Sequence, residues 1–315
     1  MQLSRTAHFI LPMSVTGLAA FALLPFTGYP LIFPFVILKY IVLVSSLNLI
    51  TGYTGYVDFG HVVFYGLGVY GAALSVYHLR GIFFALPFIA VLLGGLVASI
   101  VAIIIGSVLL RLRGAYFALA MLSFNEVVRL TFLNLPQNWA GGTFGIPLPA
   151  IYDPLLAYYG MLILVVATLS FMYLLANSSF GVCLKAIRED EDAAEDLGIP
   201  TFNYKLIAFA LSGLIAGLAG GFDLWYTAYA SPDINFELAH TVEMFAMMLA
   251  GGSGTVFGPV LGAFILIPFR DFVWALSPFI YTIIFGALIV GLILLMPYGI
   301  LGLLDRLPKF KGKIK

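Results

Sequence analysis

Apolar residues dominate this chain in long blocks separated by short polar stretches. Blocks of bilayer length lie at about 9 to 27, 30 to 51, 56 to 78, 82 to 110, 114 to 134, 155 to 176, 205 to 229 and 279 to 304. A bilayer core takes about 20 apolar residues per helical crossing, so each block predicts one spanning helix. Between 238 and 270 a further apolar run is interrupted by AGGSGTVFGP and has room for two short helices or one broken one. The pattern predicts an all-α fold: a polytopic membrane helix bundle of about ten transmembrane helices, with residues 1–315 forming one domain.

Two of the blocks carry glycine-rich interruptions, one in each half. TGYVDFGHVVFYGLGVYGA breaks the first, and GGSGTVFGPVLGAF breaks the second about 195 residues later. In hydrocarbon an unpaired backbone amide costs several kcal/mol, so irregular backbone at depth survives only inside protein or beside a wet cavity. Paired interruptions in corresponding halves point to an internal repeat with a path between its copies. Gly52, Gly55, Gly251, Gly252 and Gly254 cluster at predicted helix ends and are assigned to that path, with Tyr56 and Asp58 beside them. His61 is either a path residue or a helix-packing donor. Gly66, Gly68, Gly71 and Gly262 read as close-packing positions, as small residues are in membrane bundles. A helix starting at such a break is expected to offer free amides and a positive dipole end to an anionic group.

Composition agrees with this reading: 62% of the 315 residues are apolar and 10% are charged. That balance excludes a soluble domain. With a formal net charge of zero, no basic field invites nucleic acid. Position matters more than total, because Lys and Arg accumulate in cytoplasmic loops. Ten spans place both termini in the cytoplasm together with Arg5, Arg111, Arg113, Lys185, Arg188, Lys205, Arg306, Lys309, Lys311, Lys313 and Lys315. Arg80, Arg129 and Arg270 fall outside or near the outer surface, and residues 136–154 carry no Lys or Arg. The tail PKFKGKIK reads as a solvated topology anchor against membrane lipid. Arg5 before an apolar run could pass for a secretory leader, but with so many spans following it is expected to open a retained first helix. Cys183 is the lone cysteine, so intramolecular disulfides are impossible.

Ionisable groups inside spans face the bundle interior and are functional candidates by default. Lys39 lies near the middle of the second span, and Asp58 or Asp223 is its expected partner. Glu126 and Arg129, three apart on one helix, are expected to pair. Asp223, His240 and Glu243 are expected close to the outer surface, where long side chains snorkel. Four scattered histidines and one cysteine supply no metal set, and no cofactor is expected. No nucleophile, base and orienting group stand together, so enzyme chemistry is not indicated.

LNLITGYTGYVDFGHVVFYGLGVYGAAL, LRLRGAYFALAMLSFNEVVRL, AGGTFGI, SFGVCLKAIREDEDAAEDLGIPTFNYKL and EMFAMMLAGGSGTVFGPVLGA occur in that order over residues 40 to 265. Together they resemble the permease subunits of branched-chain amino acid ABC importers, the LivM-type family. Tyr56 and Asp58 stand where that family usually has glutamine and a small residue. The resemblance implies a subunit of the cell inner membrane importing branched-chain amino acids, although urea and other small-amide permeases share much of the pattern. It also implies a heterodimeric companion permease, two ATP-binding subunits and an extracytoplasmic solute-binding protein. The ATP-binding motif GxxxxGK[ST] is absent from the sequence, so the motor must be another polypeptide.

Residues 177–204 form the longest cytoplasmic segment and predict a short surface helix between Gly181 and Gly198. Its apolar members Leu184, Ile187, Ala194 and Leu197 recur at helical spacing and make one narrow face. Pattern alone reads this as a solvated connector. The resemblance instead assigns Leu184, Ile187, Arg188, Asp192, Ala193, Ala194 and Gly198 to a coupling loop docked on the ATPase. Two other readings stay open: an ion-coupled secondary transporter acting alone, and a non-transporting membrane scaffold.

Overall fold

The computed structural model describes residues 30–78, 87–148 and 153–276, with residue 17, residues 21–28 and a few positions between 283 and 300. Helix α1 spans Ile32–Leu47 and runs on as a π-helical turn over Asn48–Gly52. It is followed by α2 (Val62–His78), α3 (Pro87–Leu109), α4 (Ala115–Asn134) and α5 (Pro154–Ala176). Two surface helices, α6 (Ser179–Glu189) and α7 (Glu191–Asp196), lead into α8 (Thr201–Thr227). Helices α9 (Leu238–Gly251) and α10 (Gly258–Leu276) complete the described bundle.

Among the described residues six helices are long and apolar enough to cross a membrane: α1 with its π turn, α3, α4, α5, α8 and α10. Helix α2 is a shorter apolar helix, and α9 is shorter still. The expected total of ten is therefore not reached on these residues. More than half of the predicted first span at 9 to 27 and of the last span at 279 to 304 lies outside the described residues, as do Arg5, Arg80 and the Lys-rich tail. The run from 238 to 270 is two antiparallel helices joined by a turn, since Gly262 of α10 lies against the Met247 backbone of α9.

The spans begin and end where elementary chemistry places them. Pro154 opens α5 in the first turn, where a missing N–H costs nothing, and Asp153 caps it by accepting from Leu155 N at 2.9 Å. Ser178 caps α6 through Gly181 N at 3.2 Å. One surface helix was expected over the acidic stretch, but the chain breaks at Asp190, whose extended backbone ends α6. Its carboxylate then accepts from Ala193 N at 3.0 Å to start α7. Helix α8 starts at Thr201, inside the segment 177–204 expected to be loop.

At the centre α8 packs against α3, α2, α1 and α5. Lipid tails are as apolar as leucine, so these helices associate through close packing rather than by escaping water. The closest approach is at Gly68, Gly94 and Gly217. A Cβ on Gly68 would overlap the Gly217 backbone, and one on Gly94 would overlap the Gly68 carbonyl.

The bundle has two distinct ends. One carries α6, α7 and the π turn. At the other, β1 (Ile146–Pro147) pairs antiparallel with β2 (Tyr229–Ala230), with Ile146 opposite Ala230. His78 Nε2 lies 3.0 Å from the Trp139 carbonyl oxygen at the same end.

Candidate functional site

Between the π turn and α2 the chain is irregular from Gly55 to Gly60, and Gly55 adopts a left-handed φ of 79°. This backbone is held by side chains. Thr51 Oγ1 accepts from Asp58 N at 3.3 Å, and Asp58 Oδ1 accepts from Gly60 N at 3.1 Å. His61 bridges onward, with Nδ1 2.9 Å from Asp58 Oδ2 and Nε2 2.9 Å from Ser46 Oγ. Asp58, His61, Ser46 and Asn48 are all fully buried. A buried polar group is tolerable only when paired, and this column of pairs along α1 keeps the interruption ordered.

At each helix start the first amide is engaged by a side chain. Thr241 Oγ1 on α9 accepts from Val62 N at 3.2 Å at the head of α2. Thr255 Oγ1 accepts from Gly258 N at 3.0 Å at the head of α10. Each cap satisfies one of the amides that a helix start leaves without an intrahelical partner.

The second interruption, residues 252–257, is the turn between α9 and α10, and Gly252 and Gly254 both have positive φ. The fold brings it against the first. Asn48 Oδ1 accepts from Gly254 N at 2.8 Å, and Asn48 Nδ2 donates to the Thr255 carbonyl at 2.8 Å. A side chain on Gly52 would overlap Asn48 and lie 2.7 Å from Gly254 N. Gly251 packs on the Gly258 backbone. Of the residues assigned to a path, Gly52, Gly55 and Gly254 therefore converge at one end of the bundle. Asp58 and His61 lie within the interruption, against α1.

The α6–α7 segment sits beneath this junction. The break at Asp190 splits the expected narrow face, with Leu184 and Ile187 on α6 and Ala194 on α7, and all three are buried against the subunit itself. Leu197, the fourth apolar residue of that spacing, is 82% exposed. Arg188, Asp192, Ala193 and Gly198 are exposed. Arg188 Nη1 donates to the Gly52 carbonyl at 2.6 Å. Glu191, which no sequence pattern singles out, lies at the centre of a cluster. It accepts from Lys205 Nζ at 2.5 Å and from Tyr56 OH at 2.6 Å, with Arg113 Nη2 at 3.8 Å. Burial raises the cost of its charge, but the hydrogen bonds from Lys205 and Tyr56 and the nearby Arg113 outweigh it and hold this carboxyl below the usual range. Tyr56 is thus accounted for: its hydroxyl joins the first interruption to α7.

A second set of charges is buried towards the other end. Lys39 Nζ meets Asp223 Oδ1 at 3.0 Å, one of its two expected partners, and Tyr65 OH donates to Asp223 at 2.5 Å. Tyr40 OH donates to Glu243, Arg270 Nη1 lies 3.1 Å from the same Glu243 oxygen, and His240 Nδ1 lies 2.9 Å from Tyr40 OH. Asp223 and Glu243 do not reach solvent by snorkelling as expected; both are buried and paired across helices far apart in sequence. On α4, Arg129 Nη2 pairs with Glu126 Oε1 at 2.6 Å, as their spacing predicts, and Nη1 also reaches Asp233 Oδ1 at 2.6 Å.

Six apolar helices of spanning length, with interrupted backbone buried among them, define a multi-pass membrane protein. The profile described as branched-chain amino acid transport system / permease component matches residues 30–297, and the chain belongs to that family. It is 30% identical over 293 residues to the high-affinity branched-chain amino acid transport system permease protein LivM of Salmonella typhimurium, covering 83% of this chain and 67% of that protein. The probable branched-chain amino acid transport permease protein LivM of Methanocaldococcus jannaschii is 24% identical over 259 residues, 71% and 75% of the two chains. The autoinducer 2 import system permease protein LsrC of Shigella flexneri is 32% identical over 207 residues, 56% and 58% of the two chains. No solved structure matches the chain.

Proposed function

We propose that this chain is a permease subunit of an ATP-driven importer that carries branched-chain amino acids across the cytoplasmic membrane. The observation that carries the reading is likeness over 83% of the chain to a permease named for that transport. In the proposed assembly the subunit pairs with a related companion permease, two ATPase subunits bind at the α6–α7 end, and an extracytoplasmic solute-binding protein delivers cargo. Arg111, Arg113, Lys185, Arg188 and Lys205 all belong to that end, which supports its facing the cytoplasm.

The residues assigned to coupling divide by exposure. Because Leu184, Ile187 and Ala194 are buried within the subunit and the Arg188 guanidinium is engaged by the Gly52 carbonyl, contact with an ATPase falls to Asp192, Ala193 and Gly198, joined by the exposed Leu197. Alternating access then consists of helix displacement about the junction of the two interruptions.

Uptake of labelled leucine, isoleucine and valine into proteoliposomes holding the complete complex, with and without ATP, tests the reading. ATP-dependent accumulation is expected. Accumulation of urea or another amide in their place would reassign the cargo, and uptake by this chain with no ATPase present would favour an ion-coupled transporter. Leu197→Arg tests docking: the subunit inserts normally and the ATPase subunits no longer co-purify.

A further inference from the structure

Four contacts join α6 and α7 to both interruptions. The Arg188 guanidinium donates to the Gly52 carbonyl at 2.6 Å, the charge-assisted kind of bond that is shorter and stronger than a neutral one. The same side chain runs under Gly55, where a Cβ would lie 3.3 Å from Arg188 Cγ, and it abuts Gly254, where a Cβ would overlap Nη1. Three residues further on, Glu191 holds the Tyr56 hydroxyl. Residues 52 and 56 of the first interruption are thus gripped from 188 and 191. The side-chain amide of Asn48, on the same π turn as Gly52, is bonded on both faces to Gly254 and Thr255 of the second. From the exposed surface of α6 to the α9–α10 turn there is no gap in this series.

We infer that Arg188 and Asn48 are positioning residues that carry a displacement of α6 and α7 to both interruptions at once. The inference rests on the reading that an ATPase docks at this end. Coupling between distant sites needs contiguous groups that move between discrete arrangements. A π turn is a suitable receiver, because single π turns within α-helices recur at functional sites. Arg188 pulls on a carbonyl of that turn, and Asn48, four residues earlier, passes the shift to the partner turn. The absence of a side chain at Gly52 and Gly254 is what admits both the guanidinium and the amide.

The test uses the complete transporter in liposomes and records ATPase co-purification, ATP hydrolysis and amino acid uptake for each variant. Arg188 is exposed, and α6 keeps its Ser178 cap and its buried Leu184 and Ile187, so Arg188→Ala leaves the fold intact. In Arg188→Ala the ATPase subunits stay bound and hydrolyse ATP, while uptake per ATP falls about tenfold. Arg188→Lys, which restores a cationic donor, recovers part of it. Asn48→Asp, which keeps the acceptor for Gly254 N and loses the donor to Thr255, shows the same split to a smaller degree. Unchanged uptake per ATP in Arg188→Ala overturns the inference. So does loss of the ATPase subunits from that variant, which would make Arg188 a docking contact. Leu197→Arg separates the two ideas. If it still binds ATPase, the docking reading fails; if it releases ATPase while Arg188→Ala transports normally, only the positioning role fails.

Discussion

Lys205 Nζ and Glu191 Oε1 meet at 2.5 Å, with the lysine side chain 3% exposed and the glutamate 14% exposed. Lys205 belongs to α8 and Glu191 opens α7, so the pair fixes the surface segment to the central helix of the bundle. The ammonium also donates to Tyr56 OH at 2.7 Å and lies over that ring at 4.4 Å. Such a pair adds little against a well-packed apolar replacement, but removing one member strands the other.

Lys205→Met is therefore expected to lower stability by roughly 2–3 kcal/mol, because Glu191 keeps a half-buried charge with fewer donors. The double variant Lys205→Met with Glu191→Gln should recover much of that loss. Thermal unfolding of the purified subunit in detergent measures both, and equal melting points for the single and double variants would count against the pair.

Acid should open the same cluster within a defined window. The folded Glu191 carboxyl titrates below its unfolded value, so its stabilisation is complete above an unfolded pKa of about 4.3 and is lost as pH falls through the lower folded value. The melting-point difference between the native protein and Glu191→Gln should stay constant from pH 7 to pH 5, then shrink below pH 4. A difference that has already vanished at pH 6 would contradict the assignment.

At the other end of the bundle, Lys39→Met leaves Asp223 buried with Tyr65 as its remaining side-chain donor among the described residues. The expected loss is on the order of 3–5 kcal/mol, with partial recovery when Asp223→Asn is added. Folded yield from membranes and unfolding in detergent both report it.

Two glycines should resist alanine for different reasons. At Gly68 the new methyl would overlap the Gly217 backbone, which cannot yield without parting α2 from α8, so a loss of at least the 1–3 kcal/mol typical of overpacking is expected, roughly. At Gly198 the space is open and only the φ of 84° opposes a side chain, a penalty of about 1–2 kcal/mol. Side-by-side melting curves rank the two, and a milder effect at Gly68 would refute the close crossing.

Spans were legible because each must satisfy its own backbone in hydrocarbon, which forces long unbroken apolar runs. The runs at 114 to 134 and 155 to 176 became α4 and α5 almost residue for residue. The run at 56 to 78 shortened to α2, since Gly55 and the Asp58 hydrogen bonds hold the preceding residues out of the helix. Lys39 could be matched to Asp223 as one of two options because few acids lie in apolar runs. Glu191 and Asn48 were invisible, since a single chain records spacing and not which residues meet across 14 or 206 positions. The periodicity of Leu184, Ile187 and Ala194 was visible as well, but not the surface it covers. All three turn inward from two short helices, and Leu197 is left outside.

The π turn of α1 has a consequence for phase. One additional residue in a turn rotates everything after it by about 100° relative to a continuous α-helix. Lys39, Tyr40 and Asn48 keep the phase of α1, whereas Tyr53 and Thr54, which follow the turn, are set about 100° away from where regular winding would put them. Were that residue drawn back into regular winding, the far end would swivel while the near end stayed anchored, so a small axial tug would be read out as torsion.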